Sequence, residues 1–207
     1  MKSPNIVFFG TEPLAAAVLD ELEKAGILPS LAVTSPDAAM GRKHILTPPE
    51  AKVWAEARGI PVLQPVSFKS EGDIAPLLNT EWDLFVVASY GKILPKKILS
   101  LPKHGTLNVH PSLLPKWRGP SPIRSAILAD ARETGVSIML MDAKMDHGPV
   151  LATAKETILP DDTTETLTPR LATLGALTLP NVIVGYAEGK IKPVEQAHDK
   201  ATFVKLL

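Results

Sequence analysis

Residues 83–89 read Asp-Leu-Phe-Val-Val-Ala-Ser, an apolar run without alternation, and this stretch constrains the fold most tightly. A strand sends successive side chains to opposite faces, so a run that is apolar throughout must be covered on both sides. Strands of that kind belong to parallel sheets flanked by helices. The preceding sequence agrees. Residues 5–9 form a second short apolar run closed by Gly10, and Pro13 then opens a helical spacing of Leu14, Val18, Leu19 and Leu22 ending at Gly26. Residues 31–34 and 62–63 read as strands, 50–58 as a helix stopped by Gly59, and 73–78 as a short helix. This alternation predicts an α/β fold with a doubly wound, mostly parallel sheet, and ligands at the carboxyl ends of its strands.

The second half begins with a strand, Thr106–His110, stopped by Pro111. Ser121-Pro122 starts a helix through Ala129, and residues 134–141 and 149–157 read as two strands making an antiparallel addition to the sheet. A long helix is expected from Asp162 or Thr163 to Tyr186, with an early turn at Pro169 and a kink or break at Pro180. Residues after 189 carry no clear period and read as a tail.

A chain of 207 residues with 45% hydrophobic composition can fill one substantial core. Its 22 Lys and Arg balance 22 Asp and Glu, which excludes a global basic field, so any nucleic-acid contact must be local. The absence of cysteine excludes disulfides, thiolate metal sites and a cysteine nucleophile. No apolar run approaches the roughly 20 residues of a membrane span, and the first residues lead straight into a strand; the expected location is the cytoplasm.

Asn108 and His110 share one face of their strand, roughly 6.5 to 7 Å apart. A neutral donor beside a titratable imidazole suits a reaction in which a carbonyl oxygen gains charge while a proton moves. Equally, Asn108 could bond the following turn and His110 could be a satisfied histidine at a strand end. Asp146, in the loop 142–148, could orient an imidazole or cap a turn; Asp142 reads as a turn residue and His147 as exposed. Gly10-Thr-Glu-Pro13 has too few glycines for a phosphate cradle. Gly41-Arg42-Lys43-His44 is a small basic cluster that either touches phosphate or is a solvated loop. The histidines show no metal-ligand spacing, so no metal is expected.

The motif Asn108-Val-His110-Pro-Ser112-Leu113-Leu114-Pro115-Lys-Trp-Arg-Gly119, with Pro122-Ile123 and the run from Met141 through Asp146 to Gly148, resembles the folate-dependent formyltransferases. The resemblance extends to Phe8-Phe-Gly-Thr11, Ser89-Tyr-Gly-Lys92 and Ala201-Thr-Phe203. It implies a Rossmann-like formyltransferase domain over residues 1–189, with 190–207 leading toward a C-terminal domain that the family carries and this chain does not. It implies Asn108, His110 and Asp146 as catalytic residues and Ser112, Leu113, Leu114 and Pro115 at the folate site. It further implies 10-formyltetrahydrofolate as co-substrate, initiator methionyl-tRNA as acceptor touched through Arg42 and Lys43, no metal, no membrane, and a monomer. The alternatives within its reach are a formyltransferase for a sugar amine or glycinamide ribonucleotide, and a folate-binding module without turnover.

Overall fold

The computed structural model describes residues 4–41 and 44–206. Two compact units divide at Thr106 and Leu107. In the first, β1 (Ile6–Phe9) leads through α1 (Pro13–Lys24) to β2 (Leu31–Val33). A hairpin of β3 (Ala38–Met40) and β4 (Ile45–Thr47) follows, then α2 (Glu50–Glu56), β5 (Val62–Leu63), a 3-10 turn at Gly72–Ile74, α3 (Ala75–Leu78), β6 (Leu84–Val87) and α4 (Lys96–Leu99). The strand order β5-β2-β1-β6 is parallel throughout. All residues of β1 and β6 are buried, which is what their unbroken apolar sequence requires. Helix α1 buries Ala15, Val18, Leu19 and Leu22; of the stripe anticipated from sequence, Val18, Leu19 and Leu22 are buried and Leu14 is half-buried.

Gly10 follows β1 because nothing larger fits. A Cβ there would strike the Ala15 side chain, the Phe8 ring and the Ala88 carbonyl. Its role is close packing, in line with the rejection of a phosphate cradle. The hairpin β3–β4 and the four-residue helix α4 were not anticipated. Each is too short to set up a period, and the hairpin leaves Ile45 and Leu46 exposed, so it lacks the buried alternation that marks a strand.

The second unit contains β7 (Thr106–His110), α5 (Pro122–Leu128), β8 (Glu133–Leu140), β9 (Val150–Thr157) and α6 (Thr164–Ala187). Strands β7, β8 and β9 are antiparallel neighbours, with Asn108 opposite Met139 and His110 opposite Ser137. The expected class, a mostly parallel α/β fold with an antiparallel addition, is borne out.

One expectation is corrected. A turn was expected at Pro169 and a kink or break at Pro180, and helix α6 instead runs unbroken through both. A Thr163 and Thr166 capping box starts it, and eight buried residues from Leu167 to Ile183 hold it against β8 and β9, so packing offsets the two lost backbone bonds. Gly175 allows close approach: a Cβ there would meet Val109 and Val136. By length and hydropathy α6 could span a membrane; here its apolar face serves the unit's own core.

Residues 190–206, expected as an unpatterned tail, are bonded back onto this unit. Val194 exchanges backbone hydrogen bonds with Val150, and Val204 N–H donates to the Arg118 carbonyl.

Candidate active site

Strand β7 delivers His110 into a buried position, with only 4% of its surface exposed. Nε2 lies 3.2 Å from the Trp117 carbonyl oxygen and Nδ1 lies 3.6 Å from Asp146 Oδ1. A carbonyl can only accept, so Nε2 carries the proton, and in the neutral ring the Nδ1 lone pair faces the carboxylate. At that spacing the two are too far apart for a good hydrogen bond but close enough to form an ion pair. A proton taken up at Nδ1 therefore creates an imidazolium beside a carboxylate. Burial pushes the His110 pKa below the ordinary histidine value, opposed by the Asp146 charge and by the hydrogen bond to Trp117.

Asp146 sits in the β8–β9 loop with φ of 48°, the left-handed region that few residues other than glycine, asparagine and aspartate visit readily. Its carboxylate does not serve its own turn. Oδ2 accepts the Gly119 N–H at 2.8 Å, tying the loop to the segment that follows β7. Asp142 is the turn residue, as read from sequence: Oδ1 accepts from Lys144 N–H at 2.8 Å, and Oδ2 meets His147 Nδ1 at 2.7 Å.

Asn108 is half-buried two residues before His110 on the same strand. Ser112 is fully buried, and its hydroxyl donates to the Lys116 carbonyl at 2.7 Å. Ser137 on β8 completes the turn, donating to the Ser112 carbonyl at 2.7 Å and accepting the Leu114 N–H at 3.0 Å. The Leu114–Pro115 peptide is cis. Leu114 and Pro115 line a cleft of about 330 Å³ together with Val150–Thr153 backbone and side chains and residues 194–197. Leu113 packs instead beside Gly135, where a Cβ would strike it. The structure thus brings Asn108, His110 and Asp146 into one unit and puts Leu114 and Pro115 on a cleft, while the Ser112 hydroxyl is used within the turn. Arg42 and Lys43 lie outside the described residues, between Gly41 and His44, both with positive φ.

A model of the formyl transferase family matches residues 4–183. The chain belongs to the formyl transferase family. Among curated relatives, the methionyl-tRNA formyltransferase of Anaeromyxobacter dehalogenans is 46% identical over 98% of this chain, and that of Myxococcus xanthus is 44% identical over 95%. The chain spans 65% and 62% of those two proteins. Among solved structures, the phosphoribosylglycinamide formyltransferase of Anaplasma phagocytophilum superposes with a TM-score of 0.77 over 98% of both chains at 22% identity, a likeness of fold. Among the described residues no group of three or more acidic, histidine or cysteine side chains is placed to hold a metal.

Sequence reasoning missed Arg118, Gly119 and Gln196 as supports of the His110–Asp146 pair. Arg118 is 2% exposed, a rare state for an arginine with no carboxylate partner among the described residues, and Gln196 is 7% exposed. The only signal was that a Trp-Arg-Gly run follows directly on the turn.

Proposed function

We propose that this chain transfers the formyl group of 10-formyltetrahydrofolate to the amino group of methionine on initiator tRNA, in translation initiation. The observation that carries this reading is the match, at 42–46% identity across nearly all of the chain, to relatives bearing the name methionyl-tRNA formyltransferase. The geometry supports it. The amine attacks the formyl carbon, a C–N bond forms, and the carbonyl oxygen becomes an oxyanion. The Asn108 carboxamide and the His110 Nε2–H are the donors for that oxygen, the latter exchanging its long bond to Trp117 for a charged acceptor. As the intermediate collapses, the amine proton moves to the departing folate nitrogen, and Asp146 supports positive charge on His110 during the transfer.

The folate site is placed at the Ser112–Pro115 turn. Leu114 and Pro115 offer apolar contact in a cleft whose volume falls at the lower end of ligand pockets, and the buried Ser112 holds the turn's shape. No metal takes part in this scheme. Arg42 and Lys43 contact tRNA phosphates. The residues assigned here to catalysis and folate contact all lie within 1–189, while 190–206 is bonded back onto the loops beside them. On this reading the protein works as a monomer in the cytoplasm, away from membranes.

The test offers methionyl-tRNA, glycinamide ribonucleotide and an amino sugar in parallel with the same formyl donor. Formylation of methionyl-tRNA in preference to the other two is expected. Preference for either small amine moves the assignment to that acceptor, and folate binding without transfer to any of them reduces the protein to a binding module.

A further inference from the structure

Asp146 sits on the loop 142–148, the loop 115–119 touches both His110 and Asp146, and both loops are held by a segment beyond residues 4–183, the span matched by the family. Gln196 Nε2 donates to the Asp146 carbonyl at 3.0 Å and to the Gly148 carbonyl at 2.6 Å. Its Oε1 accepts from Arg118 Nη2 at 2.7 Å and Nε at 3.2 Å. One buried carboxamide therefore bridges the loop that carries Asp146 and the loop whose Trp117 carbonyl and Gly119 N–H touch His110 and Asp146. The neighbouring residues reinforce the bridge. The Thr202 hydroxyl accepts the Trp117 N–H at 2.8 Å, the Thr202 carbonyl accepts the Arg118 N–H at 2.9 Å, and Val204 closes over Gly119 so tightly that a Cβ there would strike it.

We infer that Gln196 is a positioning residue of the active site, setting the spacing of Asp146 from His110 through the Asp146 carbonyl and the Arg118 guanidinium. Asp146 has a left-handed backbone and its side chain is bonded to a different loop, so its carboxylate can face His110 only while both loops stay in register. Gln196 has the one donor and one acceptor group on a single short lever that this register needs. The inference rests on the proposed formyl transfer only for its kinetic arm.

The experiment compares Gln196→Glu and Gln196→Met with the parental chain. Gln196→Glu retains, as an ion pair, the contact to Arg118 that a folded loop needs, but its oxygens cannot donate and would face two carbonyls. Gln196→Met keeps the bulk and loses every bond. Three quantities are measured: thermal stability, the imidazole titration of His110 by NMR, and kcat and folate KM for formylation of methionyl-tRNA. Misplacing a reacting group by about 1 Å can cost on the order of 100-fold in rate, so kcat should fall by on the order of 10- to 100-fold in both variants at unchanged folate KM. In Gln196→Met, which adds no charge, the His110 titration should move to lower pH, because the raising influence of Asp146 weakens with distance. A folded Gln196→Glu protein with parental kcat and parental His110 titration overturns the inference, as does a drop in melting temperature alone. If the parental chain formylates none of the acceptors, the functional reading fails, and the His110 titration in a folded Gln196→Met protein still decides the positioning role: moved to lower pH, it stands; unshifted, it falls.

Discussion

His147 and Asp142 meet at 2.7 Å with side chains 27% and 40% exposed, whereas His110 and Asp146 stand 3.6 Å apart with side chains 5% and 14% exposed. Both are histidine–aspartate pairs in the same half of the chain, and the shorter contact belongs to the half-buried pair nearer the solvent. There the solvent screens the charges, and an exposed ion pair contributes on the order of 1 kcal/mol or less. In the buried pair the cost of desolvation dominates. It keeps His110 neutral under conditions in which an ordinary histidine begins to charge, and makes the nearby carboxylate matter. The environment, more than the interatomic distance, separates a group able to do acid–base work from one that closes a turn.

The comparison breaks most sharply if the buried pair proves dispensable. His110→Ala and Asn108→Ala should each lower kcat by roughly 100-fold or more, since removing one oxyanion donor costs about 2.7 to 4 kcal/mol, with folate affinity little changed in equilibrium titrations. Parental turnover in both would remove the site from this strand. Asp146→Asn should slow transfer by a smaller factor, on the order of 10- to 100-fold. It should also shift the His110 titration, followed by NMR, further below the ordinary value of about 6.5, because the carboxylate is the leading influence raising it. Protons then reach that ring only at lower pH, so the neutral form persists further into acid. An unshifted titration would mean that the 3.6 Å gap uncouples the two groups.

Gly175→Val probes what lies behind the buried pair. A side chain there would push on Val109, between Asn108 and His110, and overpacking of this kind costs about 1 to 3 kcal/mol, read as a lower melting temperature. A variant as stable as the parent would show that α6 can yield. The smallest effect is expected at the exposed pair. His147→Ala should leave kcat within about twofold, in keeping with the small worth of surface pairs, and a large loss would mean that the two pairs act together.

Much of this was legible before any coordinates. The unbroken apolar runs at Ile6–Phe9 and Leu84–Val87 allow no arrangement but coverage on both faces, and both strands are wholly buried. The alternation of Asn108 and His110 on one face is a property of any strand, and Pro111 marked its end. What sequence could not convey is long-range. Asp146 could as well have capped its own turn, and only the bond from Gly119, 27 residues earlier, shows where its carboxylate goes. Gln196 is 78 residues from Arg118 and sits in a stretch with no period. The continuity of α6 was misjudged because propensity counts the two prolines and cannot weigh the eight buried residues that hold the helix.

The strap over the 115–119 loop has a consequence for how the protein is made. Trp117 and its partner Thr202 are separated by 85 residues. At synthesis rates of roughly 5 to 20 residues per second, the histidine, its strand and the loop beside it leave the ribosome about 4 to 17 s before the residues that clamp them. The parallel strands of the first unit need nothing from that late segment and can pair as they emerge. The surroundings of His110 are thus completed only after its own strand has emerged, and a nascent chain halted in this interval would hold His110 without its finished setting.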